Sequence, residues 1–384
     1  MTLPVRPAVP GLSGERFRVQ YQISGVEADA RSLAETARVE QSVEFPAELV
    51  PDGDIRDQIM GQLDAFEPAG ERRYLATISF AVETAGAELT QLLNLLWGTG
   101  SFFPGFRVER IELPPSLLAH YRGPRFGVAG LRERVRIDDR PLLCTAIKPM
   151  GLTPQHLAEM AHACALGGMD IIKDDHGICD QPFCRFEERV ALCAQAVANA
   201  NQQTGLSCLY VPNVTAPADQ ILSRARFARQ AGAGGLLISP GLTGFDAMRQ
   251  VADDDQVGLP IFSHPTATGH FVVHPEHGFS HYVFYGQMQR LAGADASIYI
   301  QQGGRFQVRP EDCDAARDGC RDPLGHIRPI MPLPGGGMTR ERIADLKAAY
   351  GSEVIFLVGG GLHRMGPDLV GNVRQLIEAV QCVR

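Results

Sequence analysis

Lysine is almost missing from this sequence of 384 residues: among 36 basic residues, only Lys148, Lys173 and Lys347 are lysine, and every other one is arginine. A chain that meets its need for surface cations with arginine does not need lysine for solubility. Lysine differs in that its amine can lose a proton, so it serves as base, nucleophile or carbamate carrier. The places of these three are therefore informative. Other absences narrow the function. No uninterrupted apolar run reaches membrane length, and the N-terminal MTLPVRPAVPGLSGERF has no apolar h-region, so a cytoplasmic protein without membrane partners is expected. The 9 cysteines form no C-x-x-C pair, and an odd number cannot all be bridged, which favours reduced thiols over a disulfide framework or a zinc site. There is no basic stripe and the formal net charge is -8, which argues against nucleic acid as a partner. With 45% apolar and 21% charged residues, the chain is long enough to bury a large core unaided.

Two regions follow from the patterning. Up to residue 135, strand patterns at Arg16–Ser24, Arg73–Val82 and Arg107–Leu113 mix with helical ones around Ala30–Ser42 and Ala87–Trp97. That mixture predicts a small α+β, ferredoxin-like domain. The stretch from Pro114 to Gly130 reads as a linker with a short helix. From 136 to 384 the pattern alternates regularly. Apolar runs at 142–147, 169–173, 206–212, 235–239, 259–263, 296–300, 327–331 and 354–358 are separated by helical segments such as Pro154–Leu166 and Glu188–Asn201. Eight such units predict a (β/α)8 barrel; a doubly wound open sheet is the alternative, and the even spacing argues against it.

Active sites of such barrels lie at the carboxyl ends of the strands. There stand Lys148 after the first strand, Lys173-Asp174-Asp175-His176 after the second, Asn213 after the third and His264 after the fifth. Glycine triplets follow the seventh and eighth strands at 335–337 and 359–361. Each feature has a plain reading: a rim lysine solvated by water, a tight glycine turn, a Lys–Asp ion pair. Two of only three lysines at adjacent strand ends favour a functional site, because an amine emerging from an apolar wall is tuned towards a usable base. The triplets, Gly336, Gly337, Gly359 and Gly360 in particular, suit phosphate binding by backbone N–H groups. Asp175 and His176 alone are too few for a metal cage; Lys173 as a carbamate would add a third ligand with hard oxygens suited to Mg2+. His270, His274, His277 and His281 mix loop and helix spacing and read as structural, and Lys347 reads as a surface charge on an outer helix.

The segment GGMDIIKDDHGICDQPFCRFEERV (167–190) resembles the active-site segment of the RuBisCO large chain, with support from TAIKPMGL (145–152), LTGF (242–245), the Gly triplet at 359–361 and, more faintly, VEQSVEFP (39–46). The resemblance implies that Lys173 is carbamylated with CO2 and binds Mg2+ with Asp175 and position 176. It implies that Lys148 transfers protons, that His264 contacts substrate near the reacting carbons, and that the four glycines hold a phosphate. It further implies that Glu40 reaches a neighbouring subunit's site, making a homodimer. Departures from the family point away from CO2 fixation. Position 176 is His where the family has Glu, the loop QQGGRFQV (301–308) has no lysine, the first strand ends in Lys-Pro-Met-Gly without a second lysine, and Pro265 replaces a phosphate-gripping arginine. The expected activity is that of a RuBisCO-like protein: enolisation, or C–C bond transfer or hydrolysis, on a phosphorylated sugar or sugar acid. Arg305, placed to meet a substrate carboxylate, inclines the reading to a 3-oxo-isoapionate-4-phosphate transcarboxylase/hydrolase. The alternatives are a methionine-salvage 2,3-diketo-5-methylthiopentyl-1-phosphate enolase or 5-methylthioribulose-1-phosphate isomerase, a Schiff-base aldolase, and a non-catalytic assembly protein.

Overall fold

The computed structural model describes residues 8–382. Packing divides the chain into two units, one holding the residues up to Tyr121 together with Gly269–Gln287, the other Arg122–Thr268 and the residues from Met288 onward.

In the first unit, β1 (Arg16–Ser24) alternates strictly, burying Phe17, Val19, Tyr21 and Ile23 on one face. It is followed by the helix Glu27–Glu40, then β2 (Gln62–Gly70), β3 (Arg73–Ala81), the helix Leu89–Trp97 and β4 (Phe106–Glu112). The order β4-β1-β3-β2 with antiparallel neighbours is the ferredoxin-like arrangement. The strand β2 escapes the sequence pattern because it is an edge strand whose residues are mostly exposed and include Pro68. A fifth strand, β10 (Gly278–Phe279), comes from far along the chain and pairs parallel with β4. Around it, Trp97, Phe271, Phe279 and Phe284 pack as tilted and edge-on rings, and that aromatic contact explains why Gly269–Gln287 belongs to this unit.

The second unit is the barrel. Its strands are β5 (Leu142–Ile147), β6 (Ile171–Asp174), β7 (Leu209–Val211), β8 (Leu236–Ile238), β9 (Ile261–Ser263), β11 (Ala296–Ile300), β12 (Met331–Gly335) and β13 (Ile355–Leu357). They pair in parallel in the order β7-β6-β5-β13-β12-β11-β9-β8. The ring is closed by a bridge from Asn213 to Leu237, with Val214 N–H donating to Leu237 O at 3.0 Å and Leu237 N–H to Pro212 O at 2.9 Å. No helix of the described residues is long and apolar enough to cross a membrane, and all nine cysteines are free thiols.

One barrel strand is displaced from the sequence reading. The seventh is Met331–Gly335, not 327–331. Its prolines conceal it: Met331 N–H faces β11, donating to Asp295 O, so the nitrogens of Pro332 and Pro334 face β13 instead. There β12 pairs only at Gly335 with Leu357, and no donor is missed.

The helix Gly127–Val135, which begins at the end of the segment read as a linker, packs with the barrel. Val128, Leu131 and Val135 join Leu142, Ile171, Leu209, Ile298 and Ile355 in one buried cluster, closing the amino end of the barrel. Asp295 fastens it there. Its carboxylate accepts from Phe126 N–H and Gly127 N–H, both at 2.7 Å, and from Ile261 N–H at 2.9 Å. Asp295→Ala would strand two buried donors and one half-buried one, and we expect it to lower unfolding free energy by roughly 3 kcal/mol. Denaturant titration checks this; a change under about 0.5 kcal/mol, the size of an ordinary surface substitution, would mean the carboxylate does not hold the plug.

Candidate active site

Alternation along the strands selects the residues that face the lumen. Leu142 and Cys144 of β5, Ile171 of β6, Leu209 and Val211 of β7, Leu237 of β8 and Phe262 of β9 all lie in the barrel core. Steps of two residues from these reach Lys148, Lys173 and Asp175, Asn213, Ser239 and His264 at the carboxyl ends. Register then pairs them. Ala146 is opposite Lys173 and Ile147 opposite Asp174, so Lys148 falls beside Asp175, and its Nζ lies 3.0 Å from Asp175 Oδ2.

Lys173 stands deeper than Lys148. It is 1% exposed, and its Nζ donates to Asp174 O at 3.1 Å. Burial drives its pKa below the ordinary lysine value, with Cys144 and Asp175 opposing and Lys148 adding to the effect. Asp175 shows the reverse balance. Burial alone would raise it, but the hydrogen bond and charge of Lys148 and the Gly177 N–H bring it below the usual carboxylate range. The Lys–Asp ion pair that the sequence allows at this strand end is therefore made by Lys148, not Lys173.

The two histidines stack with ring centroids 4.3 Å apart. His264 Nδ1 accepts the Thr266 N–H at 3.2 Å and lies 2.7 Å from Thr266 Oγ1. Burial, then the charges of Lys173, His176 and Lys148, push its pKa well down, so the ring is neutral near pH 7. With Nδ1 as acceptor, the neutral tautomer carries its proton on Nε2, and His264 presents a donor. His176 Nδ1 lies 3.3 Å from Asp175 Oδ1, which leaves its Nε2 for another partner. Burial lowers its pKa; Asp175 opposes, and Lys173, Lys148 and Arg305 reinforce.

Arg305 itself is exposed, with its guanidinium 4.9 Å from the Phe306 ring centroid, and its charge reaches His176. Asn213 is fully buried. Its amide donates to His176 O at 3.0 Å and Ile178 O at 3.1 Å and accepts from Thr215 N–H, so it braces the loop that carries His176. Glu40 ends the helix Glu27–Glu40 of the first unit.

The glycine loops also converge. Gly336 and Gly337 have φ of 96° and 66°, and a Cβ on Gly337 would come within 2.6 Å of Gly304 Cα. A Cβ on Gly361 would collide with Met338 O, and one on Gly359 would stand 3.7 Å from Lys148 Nζ. Gly360 opens a short helix, Gly360–Arg364, whose first N–H groups have no intrahelical partner. The backbone after β12 and β13 is thus bare and tightly interlocked, and at Gly359 it is adjacent to Lys148.

Among the described residues no three His, Cys, Asp or Glu side chains group as a metal cage. The donor set fits a divalent ion only with Lys173 as carbamate. Asp175 and His176 converge within 3.3 Å, and the buried amine, held toward its neutral form, is the species that reacts with CO2.

Sequence reasoning missed the frame beneath this cluster. Asp174 points the other way from Lys173 and is fully buried. It pairs with buried Arg189 at 3.1 Å, accepts from Tyr210 OH at 2.8 Å and from Asn213 N–H at 2.9 Å. Arg189 also donates to Cys179 O at 2.7 Å, pinning the loop beyond His176. The alternation that marks Lys173 as inward marks Asp174 as outward, and that was the available signal.

Residues 127–383 match the family model for the ribulose bisphosphate carboxylase large chain, catalytic domain. The chain is 38% identical over 355 residues to ribulose bisphosphate carboxylase-like protein 1 of Rhodopseudomonas palustris, covering 92% of this chain and 95% of that protein. It is 37% identical over 349 residues to the 5-methylthioribulose-1-phosphate isomerase of Rhodospirillum rubrum, covering 91% of each. Among solved structures, a Rubisco-like protein from Rhodopseudomonas palustris superposes with a TM-score of 0.87 at 33% identity, over 95% of this chain and 97% of that one. With a matching barrel, a matching smaller domain and relatives covered nearly end to end, the chain belongs to the RuBisCO large chain family, as a RuBisCO-like protein.

Proposed function

We propose that the chain is an enolising enzyme that moves a proton from the carbon next to the carbonyl onto the carbonyl carbon of a singly phosphorylated ketose, with 5-methylthioribulose 1-phosphate as the favoured substrate. The observation that carries the proposal is the cluster of Lys148, Asp175, His176 and His264 around the buried amine of Lys173.

Lys148 Nζ, positioned by Asp175 and acting in its neutral form, takes the proton from the carbon next to the carbonyl; the C–H electrons pass to the carbonyl oxygen, giving an enediolate. Returning the proton to the former carbonyl carbon, while the hydroxyl proton of the adjacent carbon passes to the former carbonyl oxygen, completes an isomerisation, and no atom is lost. His264, as a neutral Nε2–H donor, stabilises the developing oxyanion. The bare amides after β12 and β13 hold the phosphate within reach of Lys148. Carbamylated Lys173, Asp175 and His176 would hold Mg2+, which supplies Lewis-acid polarisation of the carbonyl when bound.

The loop 301–308 offers an arginine and no lysine, and Pro265 stands after β9, so the lysine and the arginine that the family resemblance ties to CO2 fixation and a second phosphate are absent. A Schiff base at Lys173 is disfavoured by its burial. One observation supports a second reading: the Arg305 charge reaches His176, which suits a substrate carboxylate and a transcarboxylase/hydrolase acting on 3-oxo-isoapionate 4-phosphate. By the family resemblance we also propose a homodimer in which Glu40 serves the partner's site; light scattering at a single chain's mass would count against it.

Incubation with each sugar phosphate, followed by proton and phosphorus NMR, tests the reading. Conversion of 5-methylthioribulose 1-phosphate to an isomer of equal mass is expected, lost on chelation of divalent ions. Turnover of the sugar-acid phosphate alone would transfer the assignment to the second reading. A borohydride-reducible adduct at Lys148 or Lys173 would replace both with an aldolase.

A further inference from the structure

One polar group in the barrel lumen has no use within the protein. Ser239 is 1% exposed, and its hydroxyl makes no hydrogen bond. It follows β8 with the parity of Leu237, which lies in the barrel core, so its side chain faces inward. Parallel pairing sets Ile238 opposite Ser263, and His264 N–H donates to Ile238 O at 2.8 Å, so Ser239 is the strand neighbour of His264.

The backbone around it is fixed from three sides. Ser239 N–H donates to Thr215 Oγ1 at 3.1 Å, while its carbonyl accepts from Leu242 N–H at 3.0 Å and Thr243 N–H at 3.2 Å. The following loop is locked against the next one, since a Cβ on Gly241 would collide with Thr266 O. The hydroxyl therefore does not lack a partner through slack. A buried hydroxyl without one costs stability, and at a site such a cost marks a group kept for a ligand.

Position says which part of the ligand. In the closed ring of eight strands, β8 is four places from β13 and so lies across the lumen from it. A substrate whose phosphate rests on the amides after β12 and β13, and whose carbonyl faces Lys148 and His264, extends the rest of its chain toward the β8 wall.

We propose that Ser239 is a substrate-contacting residue, whose hydroxyl binds a chain hydroxyl of the sugar on the side remote from the phosphate. This rests on the proposed enolisation of a phosphorylated ketose. It adds a specificity rule: the substrate class carries a hydroxyl beyond the reacting carbons, and a chain lacking it is handled poorly.

The test is Ser239→Ala, with Ser239→Thr alongside, measured by melting temperature without substrate and by kcat/KM on 5-methylthioribulose 1-phosphate. Removing an unpartnered hydroxyl should leave Tm unchanged or raise it, while kcat/KM falls roughly 10-fold, the worth of one buried hydrogen bond. The threonine variant, which keeps the hydroxyl, should recover part of the loss. A kcat/KM within twofold of wild type, or a Tm that falls, would overturn the inference. The stability arm needs no turnover, so it still decides against Ser239 if the alanine variant melts early. Failure of the wild-type enzyme to convert the sugar phosphate would instead count against the enolisation on which the proposal rests.

Discussion

Lys173→Met should abolish activity while leaving the protein at least as stable as before. The amine sits in the barrel lumen at 1% exposure, and its nitrogen donates to the carbonyl of Asp174 at 3.1 Å. Burying a cation in such a place is unfavourable, which is why burial pushes this amine toward neutrality. Methionine fills similar volume without charge, so the fold loses a strained group rather than a support. The chemistry loses more. Asp175 and His176 alone do not make a metal site, and the variant has no third group that CO2 can convert to a carboxylate. A fall of about 10³-fold or more in kcat/KM is expected, in the range of lost electrostatic stabilisation at a reacting oxygen. Tm measured beside kcat/KM checks both halves. Retained activity would remove Lys173 from the site, and a collapsed Tm would make it a structural residue.

The second large effect is expected at Lys148. Lys148→Ala removes the amine beside Asp175, and loss of a positioned base lowers kcat by roughly 10² to 10⁴-fold. Lys148→Arg separates the roles of charge and proton transfer. It restores a cation next to Asp175 but not a group able to take a proton, so it should remain as inactive as the alanine variant. An arginine variant with near-normal kcat would show that the position needs only positive charge. Neither change touches the barrel core, where the chain is held by its apolar interior.

Much of this cluster is legible in the sequence. Period-two alternation in short apolar runs places Lys173 inward on β6, and scarcity of lysine makes it stand out. Lys148 follows the same logic one residue past β5. Pairings across strands were not legible. That Asp175 meets Lys148 rather than Lys173 depends on the β5–β6 register, which no single strand encodes. Asn213 reads as a substrate-binding residue by position, and its role in donating to the backbone carbonyls of His176 and Ile178 was not legible. In the smaller domain, the ferredoxin-like reading held although β2 went unseen, because an exposed edge strand carries no apolar alternation. The contribution of Gly269–Gln287 to that domain is a long-range event, driven by aromatic packing around Phe271 and Phe279. Local sequence has no access to it.

The proposed chemistry requires Lys173 to become the third ligand of a divalent ion. A crystal structure of the protein grown with Mg2+ and bicarbonate tests it most directly. Added density on Lys173 Nζ, joined through a metal ion to Asp175 and His176, is the expected result. A bare amine still donating to Asp174 O, with Mg2+ absent or bound elsewhere, would contradict it.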